Sequence, residues 1–295
     1  MRVTFQTAYG GIEYVNTAAG QLARARQQVQ SGKRLEKASD DPAAMQRAIE
    51  GRAEMRGIET YTRTADSALA RLTALDTVLS GVIDKLQQAT VSATSVRGSI
   101  VTQPQRDAAA LTLEGVRDSL AADLNTAFRG AYVFAGSQAT TPPYAKVAGS
   151  WTYQGDNTPV GVEIGAGRTV DIALDGQALA QGTDPTNVLD DLETLIVAVR
   201  NGDNVGIGAG IAALGRAFTR ATGTQTTIGV DQLGIFESQV QLTSTRLAVL
   251  TRVAKDEDAD LVSAIAEMNR ADVAYRAALG AVGKASNISL LDYLR

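Results

Sequence analysis

The sequence predicts a mainly α-helical chain in which helices from its two ends pair into a long antiparallel rod, a coiled-coil-like bundle, with a small β-rich domain inserted between them. Three observations carry this. Apolar residues recur in alternating steps of three and four over long stretches near both ends. Hydrophobic residues make up 44% of the 295 residues but aromatics only 5%, and Ala, Leu and Val supply most of the rest, the stock of helices packed closely side by side. The turn-rich part of the chain, residues 131–183, lies between the helical runs and holds three of the six prolines, three of the eight tyrosines and Trp151.

The first run steps through Phe5, Ala8, Ile12, Val15, Ala19 and Leu22 before Arg26 interrupts it. A break follows from Ser31 to Ala44. Gly32 stands where a helix stop belongs, and Asp41 before Pro42 reads as an N-cap with proline at the first helical position. Asp40 favours the same helix start through the dipole.

The second run is the most regular. Ile58, Tyr61, Ala65, Ala68, Leu72, Leu75, Leu79, Val82, Leu86, Ala89, Ala93 and Val96 form an uncharged seam, while Arg63, Asp66, Arg71, Asp76, Asp84, Lys85 and Arg97 mark the wet side. A helix over about 43–100 would be roughly 85 Å long at 1.5 Å per residue. A third helix is expected to start at Thr102 or Gln103, before Pro104, with Leu113, Val116, Leu120, Leu124 and Ala127 facing inward.

Within the turn-rich region, Val160, Val162 and Ile164, then Val170, Ile172 and Leu174, alternate as strands do. Helical spacing resumes at Leu189, Leu192, Ile196 and Val199. In the last third Leu233, Val240, Leu247, Ala254, Leu261, Met268, Tyr275 and Val282 fall every seven residues. Phe236, Leu250, Ala264, Ala271 and Ala278 lie near a second seam position that Thr243 and Glu257 interrupt. A strict seven-residue repeat implies left-handed supercoiling against another helix, and the two chain ends are natural mates. The organisation expected is a terminal helical section of 1–42 with 256–295, an inner bundle of 43–130 with 184–255, and a β-rich outer insert at 131–183.

Composition excludes much chemistry. Without cysteine or histidine there is no thiolate, no His-assisted nucleophile and no zinc site that relies on either residue. A net charge of -4 gives no footprint for nucleic acid. No run of about 18 apolar residues suggests a membrane span. The N-terminus has no apolar leader segment, which leaves the compartment open, because a chain exported unfolded by a dedicated apparatus would look the same.

Two patterns imitate sites. Residues 208–213, starting at Gly208 and Gly210 after the apolar run Leu195–Val199, could pass for a dinucleotide-binding turn and so for an NAD-dependent oxidoreductase. That motif needs a strand with an immediate turn, whereas the preceding apolar residues are spaced for a helix, so these glycines read as a loosened link between helices. Asp256, Asp258, Asp260 and Glu267 fit a calcium-loop spacing except that Leu261 takes the place of the required glycine, which favours a solvated acidic helix face. Capping accounts for Asp41, and no nucleophile–base set is readable, so no catalytic, cofactor or metal residue is assigned.

Several stretches carry a family resemblance. Residues 31–44 resemble the N-terminal break of the bacterial flagellin superfamily. Residues 271–295, which close with Leu290, Leu291, Asp292, Tyr293, Leu294 and Arg295, look like the C-terminus of its hook-associated branch at the hook–filament junction. Residues 130–144, followed by Tyr153–Asp156, are similar to the start of that branch's outer domain. The ending Asp292-Tyr293-Leu294 departs from flagellin itself. The resemblance implies a non-enzymatic structural subunit, secreted through the flagellar channel, that joins hook to filament by self-limited helical assembly; a filament subunit is the alternative. Implied partners are copies of itself, an adjacent hook-associated protein, flagellin, and an export chaperone on the C-terminal helix, anchored by Leu261, Met268, Tyr275 and Leu279. The residues expected to carry assembly are Phe5, Ile12, Val15 and Leu22 with Leu261, Ile265, Met268, Tyr275, Leu279, Leu291 and Leu294.

Overall fold

A computed structural model describes residues 3–98 and 100–291 of the chain, with side-chain environments for 10–98 and 100–284. Among these residues it holds seven α-helices and three two-stranded antiparallel sheets. The order is α1 (Val3–Ser31), α2 (Pro42–Ser95), α3 (Gln103–Leu124), β1 (Ala127–Phe128), β2 (Ala131–Tyr132), β3 (Tyr144–Val147), β4 (Ser150–Tyr153), β5 (Gly161–Gly165), β6 (Arg168–Asp171), α4 (Gly176–Ala180), α5 (Val188–Asn201), α6 (Asn204–Glu257) and α7 (Leu261–Leu291). The chain is thus mainly helical, its terminal helices pack together, and a small insertion of short strand pairs interrupts it. Two compact units result, one of residues 1–57 with 245–295 and one of residues 58–244.

The core of the second unit follows from the α2 seam. Ile58, Ala65, Ala68, Leu72, Leu75, Leu79, Val82, Leu86, Ala89, Ala93 and Val96 are all buried; Tyr61, half-buried, is the seam's only member at the margin. Each fully buried leucine there contributes roughly 1.5–3 kcal/mol. Against them pack Leu113, Val116, Leu120 and Leu124 of α3 and Leu189, Leu192, Leu195, Ile196 and Val199 of α5. The α3 start is a capping box in which Thr102 and Gln105 satisfy each other's backbone, with proline in the first turn. Polar rungs set the register of α2 against α6: the Gln225 side-chain amide donates to Asp76 and Ser80 at 3.0 Å, and that of Gln239 donates to Asp66 at 2.7 Å.

The insertion is tied to this core through tyrosines and an asparagine pair. Asn125 and Tyr144 exchange side-chain and backbone hydrogen bonds at 2.8 Å, and the Tyr144 hydroxyl donates to the Gly176 carbonyl at 3.0 Å. Burial pushes both phenols up, Tyr153 to about 12, so each stays a neutral donor in ordinary buffers. Asn187 caps α5 by accepting from Leu189 and Asp190, and its own amide donates to the Trp151 carbonyl at 2.8 Å, coupling the helix start to β4.

α1 runs to Ser31, with Arg26 on its exposed side. Three expectations need correction. Ala127 leaves the helix and starts β1. Residues 208–213 are neither a dinucleotide turn nor a loose link: they lie inside α6, where a Cβ on Gly210 would come within 2.8 Å of Leu195, so the glycine serves close packing on α5. The last correction concerns phase. The buried stripe of α6 is Ile207, Leu214, Ala221, Ile228, Ile235, Leu242 and Val249, itself a strict seven-residue series, whereas Leu233, Val240 and Leu247 face outward, Leu233 at 65% exposure.

Candidate assembly surface

The terminal unit is organised by two chain breaks that meet. Gly32, at φ +66, closes α1 with its N–H donating to the Gln28 carbonyl, a left-handed turn that a residue with a side chain resists. Its carbonyl accepts from the Ala259 N–H at 2.9 Å, the Arg34 N–H donates to the Glu257 carbonyl at 2.7 Å, and Lys33 and Asp258 form an antiparallel bridge between. The break after α1 and the break between α6 and α7 therefore share a short backbone ladder. Asp40 accepts from the Glu36 and Lys37 amides, and Asp41 accepts from the Ala44 amide at 3.0 Å ahead of Pro42, so both carboxylates sit below their usual range because backbone N–H groups hold them.

Side chains reinforce the ladder. Glu257 is only 4% exposed, and its Oε2 accepts from Arg52 at 2.7 Å and from Lys33 at 3.4 Å. Arg47 grips Asp256 through two nitrogens, with Nη2 to Oδ1 at 2.7 Å, while Arg34 donates to the Asp256 carbonyl at 2.8 Å. Lys33 also reaches Asp258 at 2.6 Å. The Arg47 guanidinium holds the Asp256 carboxyl below its ordinary value, and the Asp258 hydrogen bond holds Lys33 above its own.

Acid should loosen this clamp. A depressed carboxyl adds stability that is fully present above its unfolded pKa of about 3.9 and is lost as the pH falls through the lower folded value. Hydrogen-exchange protection of the Arg34 and Ala259 amides, corrected for intrinsic rates, should stay flat from neutral pH down to about 5 and then fall. Constant protection down to about pH 2 would contradict the arrangement.

From the clamp, α1 and α7 run antiparallel. The inner row of α1 is Gly11, Val15, Ala18, Leu22, Ala25 and Val29, and that of α7 is Ala264, Met268, Ala271, Tyr275, Ala278 and Val282, each in steps of four and three. Small residues bring the backbones close: a Cβ on Gly11 would lie 3.0 Å from Val282. Arg26 pairs with Asp272 at 3.5 Å across the helices.

The residues singled out in the sequence divide between the seam and the outside. Leu22 is buried in it, and Val15, Met268 and Tyr275 are half-buried along it. Ile12, at 53% exposure, faces away, because Gly11 holds the seam position that an apolar count passes over. Leu261 at 50%, Ile265 at 45% and Leu279 at 46% are exposed apolar residues beside the α7 row, with the Asp272–Arg276 ion pair between Ile265 and Leu279. Phe5 and Leu291 lie outside the residues with described side chains, and Leu294 outside the described residues altogether. Tyr14, Val262 and Val273 add further exposed apolar surface that the sequence reading missed. An apolar arc wider than one partner helix covers is the signal that could have shown them.

The acidic series is fully engaged elsewhere. Asp256 and Asp258 belong to the clamp, Asp260 starts α7 by accepting from the Val262 amide and the Ser263 hydroxyl, and Glu267 pairs with Arg270. No group of three or more acidic, His or Cys residues placed to hold a metal occurs among the described residues.

Comparison with known proteins agrees with this geometry. Residues 7–139 match the family model for the bacterial flagellin N-terminal helical region. Flagellar hook-associated protein 3 of Salmonella typhimurium is 26% identical over 179 residues, 60% of this chain, and its counterpart in Escherichia coli is 26% identical over 182 residues, 61% of this chain. The match spans 56% of the length of each of these relatives. Among solved structures, a flagellar hook-associated protein from Vibrio parahaemolyticus superimposes with a TM-score of 0.70 at 20% identity, covering 74% of this chain and all of that one. Hook-associated protein 3 from Legionella pneumophila gives 0.65 at 11% identity over 70% of this chain and 98% of that one, and FlgL of Xanthomonas campestris 0.63 at 14% over 69% and 99%. The chain is thus similar to the flagellin superfamily at its N-terminal half and to hook-associated protein 3 in sequence and fold.

Proposed function

We propose that this chain is a non-enzymatic structural subunit of the bacterial flagellum that joins hook to filament, exported and assembled outside the cell. The observation that carries this reading is the terminal helix pair: one narrow seam is buried while Ile12, Tyr14, Leu261, Ile265 and Leu279 remain outside it, more apolar surface than a two-helix pair can cover by itself. Neighbouring copies, an adjacent hook-associated protein and flagellin are the partners that would cover it. The two curated relatives, both hook-associated protein 3, support the junction over the filament. During export a chaperone would take the broad apolar arc of α7, with Met268 and Tyr275 available to it only while α1 is unpaired, and Leu261 and Leu279 available in either state.

A junction subunit must stop after a short zone, whereas a filament subunit accepts copies of itself without limit. Cells lacking the gene should build complete hooks and shed flagellin monomers into the medium, and antibody against the protein should decorate a thin band between hook and filament. Purified protein that elongates seeded filaments to many times their starting length would instead make it the filament subunit.

A further inference from the structure

Beside the insertion, within the unit of residues 58–244, lies a shallow cavity of about 200 Å³ that the assembly reading does not use. Its walls include Phe128, Val162 and Ile172, and two arginines reach it, Arg71 from α2 and Arg129 from the β1–β2 turn. Arg71 is half-buried; its Nε donates to the Ile172 carbonyl at 2.6 Å, and no acidic side chain among the described residues forms an ion pair with it. Burial alone draws its pKa down, the mark of a cation taken from water without a counter-charge. A guanidinium so placed keeps unused donors for a carboxylate.

Arg129 is a second, independent sign. β1 and β2 are joined by the two-residue turn Arg129–Gly130, with φ +51 and +84, the primed hairpin turn whose first position favours Gly, Asn or Asp. Arginine there is strained, and such strain is retained where the residue has a task. The guanidinium is held over the Phe128 ring, 5.2 Å from its centroid, at the edge of the cavity.

The geometry points to a docking pocket for an acidic side chain next to an apolar one, presented by a segment of a partner protein. Charge complementarity selects the acid, the Phe128, Val162 and Ile172 walls select its apolar neighbour, and the volume lies below the roughly 300 Å³ at which small-molecule sites begin. The inference is independent of where in the flagellum the chain resides.

The test follows the side-chain Nε–Hε resonance of Arg71 by NMR while the full chain is titrated with the capped tripeptide Leu-Glu-Leu, and with Leu-Gln-Leu as its neutral twin. A saturable shift with the acid and none with the amide is expected. Arg71→Gln should weaken binding at least tenfold. Arg129→Gly should weaken it as well while raising the Tm, because the turn strain is released; Phe128→Leu, which keeps the apolar wall, should weaken it less. Equal shifts with both peptides, no shift with either, or unchanged affinity in Arg129→Gly would each overturn the proposal. Acetate producing the same shift at equal concentration would overturn the protein-segment part and leave a site for small anions.

Discussion

Cells carrying Leu22→Asp should lose swimming, with the protein still made and the unit of residues 58–244 still folded. Leu22 is buried at the middle of the α1 row, facing α7, and the cation one turn on, Arg26, is already engaged by Asp272. Burying an unpaired charge costs more than this seam can supply, because about half of its other members are Ala or Gly, and losing the leucine contact alone removes about 2–5 kcal/mol. Unpairing α1 from α7 is the cheaper outcome. Circular dichroism should show loss of part of the helix signal with an unchanged major melting transition, and Leu22→Met should swim almost normally. Ile12→Asp separates packing from assembly: Ile12 lies outside the seam, so the helix signal should survive while incorporation into flagella falls. Wild-type swimming in both Asp variants would remove the terminal pair from the assembly surface.

How much of this was legible in the sequence depends on where the periodic signal is unbroken. The α2 seam was readable throughout, because none of its members is charged and it packs on three neighbours, α3, α5 and α6, so the apolar positions have one inward direction. α6 was misread for a definable reason. The phase of Met268, Tyr275 and Val282 is correct for α7, but carrying it backward through Leu261, Ala254 and Leu247 crosses the break at Asp258–Asp260, where the helix stops and the phase resets. Glu257, which looked like an interruption of the second seam, marks that break. The alternative series from Ile207 to Val249 was present in the same residues, but Asp256 stands where it would next fall.

The site was legible in part. Gly32, Asp41 and Pro42 were readable as a stop and a start because backbone geometry alone dictates those residue types. What they dock against was not, since the contact is made across more than two hundred residues by charged side chains that a periodicity count discards. Gly11 was missed for the related reason that close approach is invisible to a hydrophobic scale. Leu261, Ile265 and Leu279 were read as seam members, whereas they lie beside the seam.

The clamp gives the second large effect, and it is asymmetric. Removing Lys33 and Arg52 together by alanine leaves the Glu257 carboxylate buried without a cation, and breaking a buried pair from that side costs about 3–5 kcal/mol. Removing Glu257 instead, as Glu257→Leu, frees two cations that are already 43% and 55% exposed and can hydrate in place, so the loss should be smaller, on the order of 1 kcal/mol. The triple variant should then recover most of what the double variant lost, since an apolar side chain now fills the buried position with no charge to satisfy. That ordering, double variant weakest and triple variant close to Glu257→Leu, is the signature of a desolvated carboxylate as opposed to three independent surface charges. It can be read from hydrogen-exchange protection of residues 32–35 and 257–259 in the four proteins. Additive losses, with the triple variant the least protected, would mean that Glu257 is solvated in solution and that the backbone ladder alone holds the two breaks together.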